Sequence, residues 1–417
     1  MPRSMKIRLS VMMFLEYFVP GTTLPIMSLY LKQSLGFEPY QAGLVLAMPA
    51  VAATVAPLVA SHVADRYIAS ERLLALCHLC CGALMLLLWR LESFPGVLSV
   101  YFLYGVCFTP TFGLTNAVAL HHARDARRDF GGIRMWGTAS WVVVAWTFGY
   151  FWLGGGAAPG GRLPHALLLS GLTSLVLSAY ALSFRPAASS GAHAGASRAD
   201  YGAMLRVFAR PEMLLLCALT LLNSACHQFY YYGMSPYLHQ MGFSDKMIMP
   251  AMSVGQMSEV VVLGLLGWCL MRISMKRALV IGVLAQAARL LVFALAGPSA
   301  MILGGIALHG ICYAFFFTVA YLYVEQHSTR DTRAGAQQVL TVMIGGPGYL
   351  VGSLCAGFAA QWLSCGAGLV DWTRFWLIPA ALALLIALVL ALFFREEPPS
   401  ARPDAVPAAL AGDKAAE

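Results

Sequence analysis

Arg185 to Tyr201 reads RPAASSGAHAGASRADY. This run of small and polar residues interrupts an otherwise strongly apolar chain, and its composition is that of a flexible linker. Six long apolar segments precede it, at about 10–31, 40–62, 72–90, 96–121, 133–154 and 164–184. Six more follow, at about 211–239, 247–272, 276–296, 299–325, 335–363 and 374–395. Each has the roughly 20 apolar residues that carry a helix across hydrocarbon. The expected organisation is an N-terminal six-helix bundle over 1–184, a linker over 185–210, a C-terminal six-helix bundle over 211–395 and a disordered tail over 396–417.

Composition points the same way. Hydrophobic residues make up 59% of the 417-residue chain and charged residues 11%, with a mean hydropathy of +0.71. Soluble domains carry about 25% charged residues, so this chain belongs in lipid. Inside a bilayer each backbone polar group needs a partner within the protein, which makes the fold class all-α and polytopic. The first segment is too long, and too closely followed by others, to be a cleaved signal peptide. Nine of the ten cysteines fall in apolar segments. Cys77 and Cys80 have a CxxC spacing around His78, but no second pair follows at zinc-site spacing, so they are read as packing residues and no metal is expected. Only Cys365 falls in an expected loop. No enzyme constellation is present: the GGPG of Gly345–Gly348 lies within an apolar segment and reads, like Gly304-Gly305 and Gly352, as a hinge or close helix contact.

Lys and Arg set the orientation. Twenty of the twenty-seven fall on one side of the spans, including Arg3, Lys6 and Arg8, the Arg124, Arg127 and Arg128 group, and Arg185, Arg198, Arg206 and Arg210. The other side holds Lys32, Arg90, Arg162, Lys246 and Arg374, while Arg134 and Arg289 fall at or within spans. Both termini and the linker are therefore expected in the cytoplasm. The net charge of +8 follows this topology and is no nucleic-acid signature.

Two six-helix halves joined by a cytoplasmic linker resemble the major facilitator superfamily, where parallel repeats enclose a substrate near the midplane. Within it the chain resembles the bacterial nucleoside:proton symporters. The resemblance rests on FLEYFVPG (Phe14–Gly21), VADRY (Val63–Tyr67), TPTFGLTNAVA (Thr109–Ala119), DFGGIRMWGTASW (Asp129–Trp141), GQMSEV (Gly255–Val260) and LHGICYAFFFTVAYLYVE (Leu308–Glu325). These stretches occur in order and cover both halves. The Asp65-Arg66 pair lacks the leading glycine usual at that turn. The resemblance implies a monomeric inner-membrane symporter that takes up a nucleoside with protons and needs no cofactor. It places Arg134, Thr138 and Trp141 of the fifth span, Gln228 and Tyr231 of the seventh, Gln256 and Glu259 of the eighth, and His309 and Tyr313 of the tenth around the substrate. Relatives carry an Asp beside the second aromatic residue of the tenth span, whereas this chain reads Tyr313-Ala314-Phe315. That departure leaves open a sugar or drug as cargo, or uncoupled transport on the same fold.

The residues themselves support a transporter. A carboxylate at bilayer depth is costly and marks a substrate or proton path. Glu259 lies in the middle of an apolar run with Gln256 three residues before it, so both share a helix face and can act on one ligand. Gln offers a donor and an acceptor, and an ionised Glu accepts two hydroxyl hydrogens. A buried carboxyl can hold a proton in one conformation and release it in another. Proton-coupling candidates are Glu259, Glu16 and His309; the bland alternatives are hydrogen-bonded fold glue for the two acids and core packing for His309. Arg134 reads equally as a topology charge, and most of the aromatic run Phe229–Tyr232 as packing. His121 and His122 read as interfacial. A receptor or scaffold is disfavoured because short loops leave little surface for a partner.

Overall fold

The computed structural model of the chain describes residues 3–122, 126–153, 161–185, 208, 210–329, 332–366 and 368–396. Residues 186–207 and 209 of the linker, the tail beyond Glu396 and the side chains of Arg124, Arg127, Arg128 and Asp65 lie outside the described residues.

Among the described residues, eleven helices are long and apolar enough to cross a membrane: Arg3–Gln33, Pro39–Ala64, Ser70–Leu88, Phe94–His122, His165–Leu182, Pro211–Gln240, Asp245–Leu270, Met275–Ala294, Ser299–Gln326, Gly335–Trp362 and Trp372–Phe393. The twelfth expected span, at 133–154, is helical too. It begins earlier, as Ala126–Val144, and continues as a π-helical segment, Ala145–Trp152. Its glycines, hydroxyl residues, Arg134, and the polar edges of Trp and Tyr dilute its hydropathy, which suits a helix facing a polar cavity instead of lipid alone. Two other wide-turn segments, Tyr313–Thr318 and Ile344–Gly348, interrupt the tenth and eleventh spans. Such bulges concentrate at functional positions. The first span stays helical through Pro20 and Gly21, then turns at residues 24–26.

Helix neighbours repeat with an offset of six spans. The first packs on the fifth and sixth as the seventh packs on the eleventh and twelfth. The third packs on the sixth as the ninth on the twelfth, and the second on the fourth as the eighth on the tenth. Between the halves the second meets the eleventh and the fifth meets the eighth. This is the contact pattern of two parallel repeats related by a pseudo-two-fold axis along the membrane normal.

The apolar core is divided unequally along the bundle. One cluster draws on both halves, bringing Phe37, Val45, Tyr101 and Phe148 together with Tyr237, Met249, Phe293, Trp372 and Trp376. It lies toward the end that carries the loops between odd and even spans. Toward the other end the core splits: Leu9, Leu74, Val118 and Phe184 form a cluster within the first half, while Leu216, Leu279, Phe316 and Phe394 form one within the second. The halves are therefore sealed at one end and separate at the other. Tyr232 donates from its hydroxyl to the Pro39 carbonyl across the seal at 2.8 Å. Nearby, a Cβ on Gly43 would stand 2.7 Å from the Gly357 Cα, so only glycine admits this approach of the second and eleventh spans. Of the glycines expected at helix contacts, Gly305, Gly346, Gly348 and Gly352 meet neighbouring helices, whereas Gly304 and Gly345 face open space.

Candidate functional site

In the second half, the seventh and tenth helices meet Arg289 of the ninth, and the eighth joins them through His309. The run ALVIGVLAQAARLLVFALA is apolar enough to force a helix through the bilayer, and it carries Arg289 to a fully buried position. There the guanidinium Nη1 donates to His309 Nδ1 at 2.8 Å and Nη2 to His227 Nδ1 at 3.2 Å. The guanidinium carbon lies 4.6 Å from the Tyr230 ring centroid. On its far side, His309 Nε2 faces Glu259 Oε2 at 3.6 Å. The eighth and tenth spans approach closely enough for this because Gly310 has no side chain; its amide donates to Ser258 Oγ at 3.0 Å. Glu259 itself is 19% exposed, against 2% for His309, so the carboxylate stands at the wet end of the chain of contacts. Tyr313 stacks on His309 with centroids 6.0 Å apart, and Tyr231 meets the His227 ring edge-on at 5.3 Å.

In the first half, Glu16 is fully buried and saturated. His78 Nε2 lies 2.9 Å from Oε2, Thr115 Oγ1 donates to the same oxygen at 2.9 Å, and Thr111 Oγ1 lies 2.7 Å from Oε1. This hub joins the first, third and fourth spans, as the Arg289 hub joins the seventh, ninth and tenth. The next residue, Tyr17, lies under Arg134, whose guanidinium carbon is 4.0 Å from the ring centroid.

The fifth span, which carries Arg134, and the eighth, which carries Glu259, pack against each other between the halves. Arg134, Thr138, Trp141, Tyr231, Gln256, Glu259 and Tyr313 are all half-buried. Gln228 departs from this set. It is buried, with its Cβ in the position a side chain on Gly352 would occupy, so it packs on the eleventh span. His309 is also buried and reaches the opening only through Glu259 and Tyr313. Ala314, expected beside the ligand, is fully buried inside the second half's own apolar cluster.

Sequence reasoning missed Arg289, His78, Thr111, Thr115, Tyr17 and Tyr349. Arg289 had a signal: a lone arginine in an apolar span needs a reason to be there. His78 had none beyond depth, and the threonines look like any small hydroxyl residue in a helix. Ligand atoms of His227, His309 and Cys312 lie within 4.8 Å of one another. They do not fit a metal, because Arg289 donates to both imidazoles and would repel a second cation.

The chain matches the family described as "Nucleoside H+ symporter" over residues 3–398. It is 28% identical over 405 residues to the xanthosine permease of Escherichia coli (strain K12), covering 93% of this chain and 95% of that one. It is 24% identical over 412 residues to the nucleoside permease NupG of the same organism, covering 94% and 96%. Among solved structures, nucleoside transporter NupG superposes with a TM-score of 0.84 at 22% identity, covering 94% of this chain and 99% of that one. A D-xylose-proton symporter gives 0.70 at 12% identity, covering 94% and 98%. The fold is that of the major facilitator transporters.

Proposed function

We propose that this chain, which belongs to the nucleoside H+ symporter family, takes up nucleosides together with protons by alternating access between its two halves. The observation that carries the reading is that half-buried Arg134 on the fifth span and half-buried Glu259 on the eighth lie on helices that pack against each other between the halves. A ligand lying between them is held by both halves at once, so its binding is tied to their relative position. Half-buried Tyr231, Tyr313 and Trp141 offer ring faces for a planar base. Gln256 supplies a donor and an acceptor, and a protonated Glu259 keeps one acceptor oxygen and gains an O–H donor for ribose hydroxyls. The loaded site thus holds proton and ligand together, so their affinities are linked. The relatives' printed substrates, xanthosine and nucleosides, support the same cargo class.

The positive-inside charge pattern supports cytoplasmic termini in a bacterial inner membrane. With that orientation, the end at which the core splits opens to the cytoplasm and the shared seal lies outside. The chain works as a monomer, since each half finds its packing partner within the same polypeptide.

The test is uptake of a radiolabelled nucleoside panel into vesicles, with and without an imposed proton gradient, for wild type and Glu259→Gln. Wild type should accumulate nucleoside only with the gradient. The variant should lose accumulation but keep exchange, because Gln still hydrogen-bonds. Gradient-independent accumulation by wild type, or full coupling in the variant, would overturn the reading.

A further inference from the structure

Arginine has five N–H donors and no acceptor, and it stays charged in proteins. Arg289 lies 2.8 Å from His309 Nδ1 and 3.2 Å from His227 Nδ1. Each of those nitrogens must therefore be the accepting, unprotonated one. A neutral imidazole carries its proton on the other nitrogen, so the protons of both rings sit on Nε2. For His309 that is the nitrogen facing Glu259 Oε2 at 3.6 Å. Neither ring can become an imidazolium while Arg289 stays, because the second proton would have to occupy a position already filled by a donated hydrogen.

We infer that Arg289 is a positioning residue that fixes both histidines as neutral Nε2–H tautomers, leaving Glu259 as the only group of this cluster that exchanges the transported proton. The inference deepens the proposed symport and rests on it for the word "transported"; the tautomer assignment stands on geometry alone. Glu259 is partly exposed, His309 aims a fixed hydrogen at it, and Arg289 supplies a constant positive charge one residue further in. The groups facing His309 from every packed element agree with this division. They are Glu259 from the eighth span, Arg289 from the ninth, His227 and Tyr230 from the seventh, and Cys312 and Tyr313 from its own. Glu259 is the sole carboxylate among them. The buried guanidinium has no carboxylate partner within 4 Å among the described residues, so its charge is balanced through His309. Protonating Glu259 removes that balance and destabilises the loaded site, which favours proton release once the opening faces a less acidic compartment.

The experiment is nitrogen NMR of the full-length protein, labelled with 15N-histidine in detergent, with signals assigned by their loss in His227→Gln and His309→Gln. From about pH 5.5 to 8, across the range where free imidazole titrates, both wild-type rings should show protonated Nε2 and unprotonated Nδ1, with no titration. An imidazolium or an Nδ1–H signal from His309 in folded wild type overturns the inference, and this arm needs no variant that might fail to fold. Arg289→Gln should free His309 Nδ1 to take a proton, so that an Nδ1–H or imidazolium signal appears, and Arg289→Lys, with a single ammonium, should free at least one of the two rings. In vesicles Arg289→Gln should add a second titration to the pH profile of uptake, which Arg289→Gln/His309→Gln removes. An unchanged profile in a folded Arg289→Gln protein counts against the inference. Tautomers as expected in a protein that moves no nucleoside would instead count against the proposed function, so the two failures are distinguishable.

Discussion

The guanidinium of Arg134 rests over the ring of Tyr17, 4.0 Å from its centroid, and Tyr17 directly follows the fully buried Glu16. The cation expected to hold substrate is thus braced by a helix whose position is fixed by an internal polar hub. Removing water from such a stack makes it worth about 2 kcal/mol, and an ammonium cannot reproduce the planar contact. Arg134→Lys should therefore keep the charge and lose the placement. Apparent nucleoside affinity should fall about tenfold, the equivalent of about 1.4 kcal/mol. Titration calorimetry on the purified variant checks this; unchanged affinity would mean that Arg134 serves topology only.

Glu16 separates stability from coupling. Its two oxygens meet His78, Thr111 and Thr115, and it is fully buried. Glu16→Gln removes one acceptor and leaves a buried donor unpaired, a loss of about 1–3 kcal/mol. The expected result is a lower thermal midpoint with gradient-driven accumulation retained in the protein that folds. Loss of coupling at normal stability would return Glu16 to the list of proton carriers.

Tyr232→Phe deletes one hydrogen bond across the seal, to the Pro39 carbonyl. A net loss of about 1 kcal/mol should shift the balance away from this sealed arrangement roughly fivefold. Hydrogen–deuterium exchange over residues 39–46 should accelerate by that factor, while exchange in the Leu216–Phe394 core stays unchanged. Equal acceleration in both places would indicate general unfolding.

Ala314→Asp tests where that residue points. Because Ala314 is fully buried in the apolar core of the second half, an added carboxylate should be an uncompensated buried charge costing about 3–5 kcal/mol. We expect poor folding and no gain in nucleoside affinity. A stable variant that binds ribonucleosides more tightly than wild type would place position 314 on the ligand face after all.

The expected span limits lie close to the observed ones for most helices, and the exception is instructive. The fifth helix begins at Ala126, ahead of its apolar stretch, because a cavity-facing helix need not be apolar all round. Glu259 and Arg134 stood out as candidates because charges at bilayer depth are rare, whereas Tyr313 was a candidate only through the family resemblance. The packing of Gln228 was not legible, since its depth is right but its direction depends on the closeness of Gly352.

What the sequence by itself determined is what hydropathy and charge record locally: twelve helical segments, their division at Arg185–Tyr201, and an expected orientation. Those quantities depend on transfer of each segment into lipid, which every stretch of chain undergoes largely alone. Only the tertiary structure decided which buried polar groups meet. His227, Arg289 and His309 lie on three helices, with 62 residues between the first two, and nothing in their local sequences says that they share one point. In lipid a polar group must find its partner on another helix, and helix packing chooses that partner.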